Sequence, residues 1–184
     1  MTLADSIVKY YRSPELLSAE SAAAELGRLG ILGYIAGSLG LFTYLRMSSS
    51  VFPGAAAFTL FLLIMLLQDA VNAGLAHFFL NISGKKGSAV SMFYLFGCSC
   101  FIYTFAVAAG VLEHFSRSAG ACLIFALAIW VVVLRIKFIR RAYCNVSAGR
   151  AFAAMLMPGI VLHGLLWISA IYWFASSIWA MKMM

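Results

Sequence analysis

Long apolar runs separated by short polar stretches set the pattern of this chain, at residues 29–47, 54–80, 89–112, 118–134 and 151–181. A helix rises about 1.5 Å per residue, so roughly 20 apolar residues cross a hydrocarbon layer of about 30 Å. Each run therefore predicts a transmembrane helix, the fourth one tight and the fifth long enough to tilt or overhang. The expected fold is all-α and polytopic, with a five-helix membrane domain over residues 29–184.

The first 28 residues follow a different pattern. Leu3, Ile7 and Tyr11 recur every four positions opposite Asp5, Lys9 and Arg12, an amphipathic rather than a spanning arrangement. Ser13, Pro14 and Glu15 then form a helix-start signal ahead of Leu16, Leu17 and an Ala-rich run. These residues predict a short helical arm on the membrane surface, acting as an interfacial anchor or as a docking element for a partner.

Composition agrees with the pattern. With 64% hydrophobic and 10% charged residues, the chain has too little polar surface to cover a soluble globule and needs lipid as its solvent. Asp5, Glu15, Glu20 and Glu25 precede the first long apolar run, so no cleavable leader is expected and the first span serves as its own insertion signal. Cys98, Cys100 and Cys122 fall inside apolar runs and Cys144 in a basic loop, which makes neither a disulfide framework nor a metal-ligand pattern. They read as small packing residues in a reduced setting.

The net charge of +7 changes the picture once it is assigned to loops. Five spans place ten Lys and Arg residues on one side, among them Lys85, Lys86, Arg135, Lys137, Arg140, Arg141 and Arg150, against Arg46, Arg117 and Lys182 on the other. Basic residues are retained on the cytoplasmic side, so the N-terminus is expected inside and the C-terminus outside. That retention explains the charge without nucleic acid, and leaves the basic loops facing the cytoplasm and anionic lipid or an acidic partner. The triplets Asn81-Ile82-Ser83 and Asn145-Val146-Ser147 then lie on the cytoplasmic side, where they are not glycosylated.

Asp69 is the sharpest candidate for chemistry, because a carboxylate inside an apolar span costs roughly 2.5–3.5 kcal/mol near the helix centre on insertion scales. Gln68 and Asn72 are its neighbours in the second span, and His77, eight positions on, lies about 80° round the helix and borders the same cleft. The cluster reads either as a proton or cation relay or as an interhelical hydrogen-bond cluster in which Asp69 is protonated. His163 reads as a packed polar residue, Glu113-His114 belongs to no spaced ligand set, and Pro158-Gly159 is expected to kink or loosen the fifth helix. Trp167, Trp173 and Trp179 suit a membrane interface. No metal helix, nucleophile elbow or phosphate loop occurs, so neither a catalytic residue nor a cofactor is expected. Gly33, Gly37 and Gly40 would permit close helix contact.

Two stretches carry a resemblance. Ala76-His77-Phe78-Phe79-Leu80 with Ser83-Gly84-Lys85-Lys86-Gly87-Ser88, ahead of Tyr94-Leu95-Phe96-Gly97, is one; Tyr143 to Ala151, ahead of the last span, is the other. Together they resemble the Yip (Ypt-interacting protein) domain family. The resemblance implies five spans with the N-terminus inside and a non-enzymatic membrane protein, of the kind whose eukaryotic members bind Rab-type GTPases in vesicle traffic. Ser83 stands where the family's turn begins with Gly, no Pro follows Gly97 closely, and the N-terminal arm is short. The short arm points away from GTPase binding and towards a prokaryotic cytoplasmic membrane. The expectation is a scaffold or assembly protein, alongside a small transporter or ion-conducting subunit built on Asp69, or an accessory subunit that associates with a larger complex or with its own copies.

Overall fold

The computed structural model describes residues 20–143 and 146–161. Among them every regular element is helical: α1 (Glu20–Met47), α2 (Ala55–Ile82), α3 (Ala89–Cys100), a 3-10 segment (Phe101–Phe105), α4 (Ala106–Phe115) and α5 (Arg117–Ala142). A shorter apolar helix, α6 (Ala148–Val161), follows. Among the described residues, four units are long and apolar enough to cross a membrane: Ala24–Met47, Ala55–Ile82, Ala89–Phe115 and Arg117–Ala142. The fifth predicted span corresponds to α6 over its first part, and the remainder lies outside the described residues. So do residues 1–19 of the arm, His163 and the three tryptophans of the last run. α6 runs through both Pro158 and Gly159, and Pro158 is fully buried.

The arm and the first span are not separate where they are described. α1 is one helix from Glu20 through Arg28 into the apolar run, and Leu26 and Leu29 are buried against Leu95, Leu134 and Phe138. Residues 20–28 therefore continue the first span rather than lying along the surface, because Ala22, Ala23, Ala24 and Leu26 favour helix and nothing in the segment breaks it. The fourth span also runs on. Ile136, Phe138 and Ile139 keep the apolar stripe going past Arg135, and the helix ends only at Ala142.

Each end of the bundle has its own turn chemistry. At one end the chain turns away from α2, two residues past the helix, at Gly84, whose φ of 75° suits a residue without a side chain, with the Lys85 amide returning to the Leu80 carbonyl at 3.0 Å. Ser88 then caps α3 by accepting from the Ser91 amide at 3.3 Å. At the other end Arg46 donates to the Val51 carbonyl at 2.9 Å across the α1–α2 connection, and Ser116 caps α5 by accepting from the Ala119 amide at 3.4 Å.

The span beginning at α3 is the axis of the bundle. On one side Gly30, Gly33, Gly37 and Gly40 of α1 lie against the backbone of Tyr94, Gly97, Cys100 and Tyr103, so closely that a Cβ at Gly30 would stand 2.6 Å from the Tyr94 carbonyl oxygen. The glycine spacing expected to allow close contact does so here, with Gly97 answering from the facing helix. The Tyr34 hydroxyl donates to the Phe93 carbonyl at 2.9 Å across the same seam. On the other side Met92 and Phe96 pack with Ala73, Ala76 and Leu80 of α2, Ile139 of α5, and Ala151 and Ala154 of α6. α2 is the least covered helix, with Leu60, Leu63, Ile64 and Leu67 all exposed.

Candidate functional site: a buried ion pair between helices

Asp69 sits near the middle of α2 at 4% exposure, in a span whose apolar surroundings offer a bare carboxylate nothing. Its partner is Arg135 of α5, itself 9% exposed. Nη1 of the guanidinium donates to Oδ1 at 2.9 Å and Nη2 donates to Oδ2, a two-pronged pairing that fits a planar donor to a planar acceptor.

The rest of the guanidinium is used by α3. Nε donates to the Ser99 hydroxyl at 3.0 Å, Nη2 also lies 3.6 Å from Cys100 Sγ, and the guanidinium carbon stands 4.7 Å over the Phe96 ring. Ser99 is held in place by donating its own proton to the Phe96 carbonyl at 2.6 Å, so its oxygen is aimed at Arg135. Three helices thus meet at one pair of opposite charges with no net charge between them. An ion pair in a low-dielectric setting contributes little by itself against well-packed apolar residues, whereas either partner alone is strongly destabilising.

Arg135 therefore corrects the sequence reading, in which it belonged to a basic cytoplasmic loop. It lies in α5, two turns before the helix ends, and faces inward because Asp69 offers the compensation that lipid does not. Asp69 is correspondingly the ion-pair partner of Arg135, in an interhelical hydrogen-bond cluster that Ser99 completes. The signal was present in the apolar residues that continue beyond Arg135 at helical spacing, and in Asp69 having no Lys or Arg in the interior of the other predicted spans, where Arg46 stands only at the end of the first.

The other expected members of the cluster separate. Asn72 reaches Asp69 Oδ1 only at 3.5 Å, and Gln68 is exposed on the outer face of α2. His77 does not border the pair; its Nδ1 is 2.6 Å from the hydroxyl of Tyr143, just beyond α5. Burial pushes the Tyr143 phenol up to about 12. Gly87 lies against that ring so tightly that any side chain there would meet it, which brings the turn after α2 to the segment after α5.

Lys85 is half-buried and Lys86 exposed in that turn, while Lys137, Arg140, Arg141 and Arg150 are exposed at the same end of the bundle. Lys137, Arg140 and Arg141 belong to the last two turns of α5 rather than to a loop. Cys98 and Cys100 are buried packing residues as expected, but Cys122 is exposed on α5. Among the described residues no group of His, Cys, Asp and Glu is placed to hold a metal ion.

Four helices of this length and apolarity, with a compensated charge pair buried among them, define an integral membrane protein. No family model, no curated protein and no solved structure matches the chain.

Proposed function

We propose that this chain is a non-enzymatic membrane scaffold or assembly protein of Yip type, with five spans and its N-terminus in the cytoplasm of a prokaryotic cell. The observation that carries the reading is the closed Asp69–Arg135 fork. A carboxylate whose two oxygens both accept from a buried guanidinium is committed to holding helices together, and is poorly suited to exchange protons or cations. A relay would need Asp69 to open to water and let Arg135 go.

Two further features support the proposal. The turns that carry the family resemblance are neighbours in space, through Gly87 and Tyr143. With Arg135 removed from the loop tally, the basic residues still divide nine to three between the two sides, which favours the basic end inside. That end faces anionic lipid, and the exposed apolar face of α2 is available to a membrane partner or a second copy.

The test is affinity purification from native membrane in mild detergent, together with proton and cation flux from the purified protein in liposomes. Recovery of a stoichiometric membrane-protein partner or a defined homo-oligomer, with no flux, is the expected result. Flux from the wild-type protein alone, lost in Asp69→Asn with the helical fold retained, would replace the scaffold reading by a transporter.

A further inference from the structure

Two concavities meet at Lys137. One is a polar pocket of about 470 Å³ lined by Lys137, Arg140, Arg141 and Val146. The other is an apolar groove of about 520 Å³ that runs along α5 past Ala126, Trp130 and Val133 and ends at the same lysine. Ala126 and Lys137 are eleven positions apart, so the groove follows the helix for about 16 Å. Ile129, Trp130 and Val133 are exposed along it.

The polar pocket is built for an anion. Among the described residues, the three charged side chains that line it are all basic. Arg140 is held over it by the bond from its Nε to the Val146 carbonyl at 3.4 Å. α6 begins two residues after Val146, and the amino end of a helix adds further positive potential. Retention of this end of α5 in the cytoplasm would require the charges but neither the pocket nor the groove that shares Lys137 with it.

We infer that this end of α5 binds a phospholipid with an anionic headgroup, its phosphate among Lys137, Arg140 and Arg141 and an acyl chain along the groove past Val133 and Ala126. The groove decides between the two sources of phosphate: a soluble phosphate would use the basic pocket and leave the apolar channel without a role. Lys137 sits at the junction, with its apolar stem along the groove and its ammonium at the headgroup. The site rests on the membrane reading of the chain and is independent of whether the protein recruits a partner.

Native mass spectrometry of the full-length protein in detergent tests this, with phosphatidic acid, phosphatidylcholine and inorganic phosphate as the added probes. Phosphatidic acid should be retained at least about tenfold better than phosphatidylcholine, as expected for several basic groups at one headgroup. Lys137→Gln with Arg140→Gln should remove most of that preference, whereas Lys85→Gln with Lys86→Gln, which removes the same charge from the neighbouring turn, should change it less than about twofold. Ala126→Trp fills the groove with every charge in place and should also reduce retention. If the first pair disturbs the fold, Lys137→Gln alone should still lower the preference. Equal losses from the two double variants would overturn the site in favour of general charge attraction. Displacement of the lipid by inorganic phosphate, with Ala126→Trp silent, would overturn the lipid assignment and leave a soluble anion. Partner recovery is measured separately, so failure here leaves the scaffold proposal standing, and failure there leaves the lipid site standing.

Discussion

Asp69 and Arg135, 66 residues apart in sequence, face each other across the centre of the bundle with both carboxylate oxygens accepting from the guanidinium. Neither charge has an acceptable environment without the other, so α2 and α5 are specified as neighbours by electrostatics as well as by packing. Ser99 makes α3 the third party.

Losing the second partner should therefore cost much less once the first is gone. Asp69→Leu or Arg135→Leu alone is expected to destabilise by about 3–5 kcal/mol, and the double variant by clearly less than their sum. Unfolding of the purified protein in mixed micelles, run as a double-mutant cycle, measures the coupling. Additive losses would mean that the two side chains act independently.

The glycine seam predicts a sharp contrast between similar substitutions. Gly37→Ala drives a methyl group into the Cys100 backbone and should separate α1 from α3, whereas Gly74→Ala meets nothing within 4 Å. The first should lower stability by more than about 2 kcal/mol, in the range of overpacked cores, and the second should change it by no more than about 1 kcal/mol. Comparing their thermal unfolding in detergent reads the difference directly.

Tyr143→Phe deletes the hydroxyl that meets His77 and should cost about 1 kcal/mol near neutrality. The folded phenol is raised from its ordinary value of 10 to about 12, so its contribution is fully present below pH 10 and is lost as pH climbs towards 12. The difference in stability between wild type and Tyr143→Phe should accordingly narrow over that alkaline window. A difference that stays constant through pH 11 would show the phenol to be unperturbed.

Side-specific labelling tests the proposed orientation. In a Cys122→Ser, Cys144→Ser background, cysteines at Lys86 and Ser147 should react with an impermeant maleimide from the cytoplasmic face only, and cysteines at Ser50 and Ser118 from the opposite face only. Any mixture of the two patterns would contradict N-inside topology.

The run lengths and the Lys and Arg positions were enough to locate all four described spans to within a few residues at most boundaries, because lipid imposes its thickness on the chain with little tolerance. The glycines of α1 were readable for the same reason, since small residues at helical spacing have few other uses. The partner of Asp69 was harder. Arg135 resembles a loop-flanking arginine when read locally, and only the inward stripe formed by Leu134, Phe138 and Ile139 shows that its helix continues. His77 and Tyr143 meet because two turns at one end pack together, a tertiary event that spacing within a single helix does not encode. The Arg28 boundary failed differently: the charge marks the edge of the hydrocarbon, while the backbone ignores it and stays helical.

The 3-10 segment from Phe101 to Phe105 has a consequence for how the third span can vary. A 3-10 residue turns the chain by about 120° and an α-helical residue by about 100°, so five of them advance the phase of everything beyond by roughly 100°. The span is thus two half-helices that present different faces, with Met92, Phe96 and Ser99 directed to α2 and α5 below the change and Ala106, Ala109 and Gly110 buried above it. Gly110 meets Met47 of α1 there, and Gly120 of α5 meets Glu113. The segment works as a phase adjuster, and its length is as constrained as any side chain in the bundle: one residue added or removed between Phe101 and Phe105 would swing the outer half away from both neighbours while leaving the composition of the span unchanged.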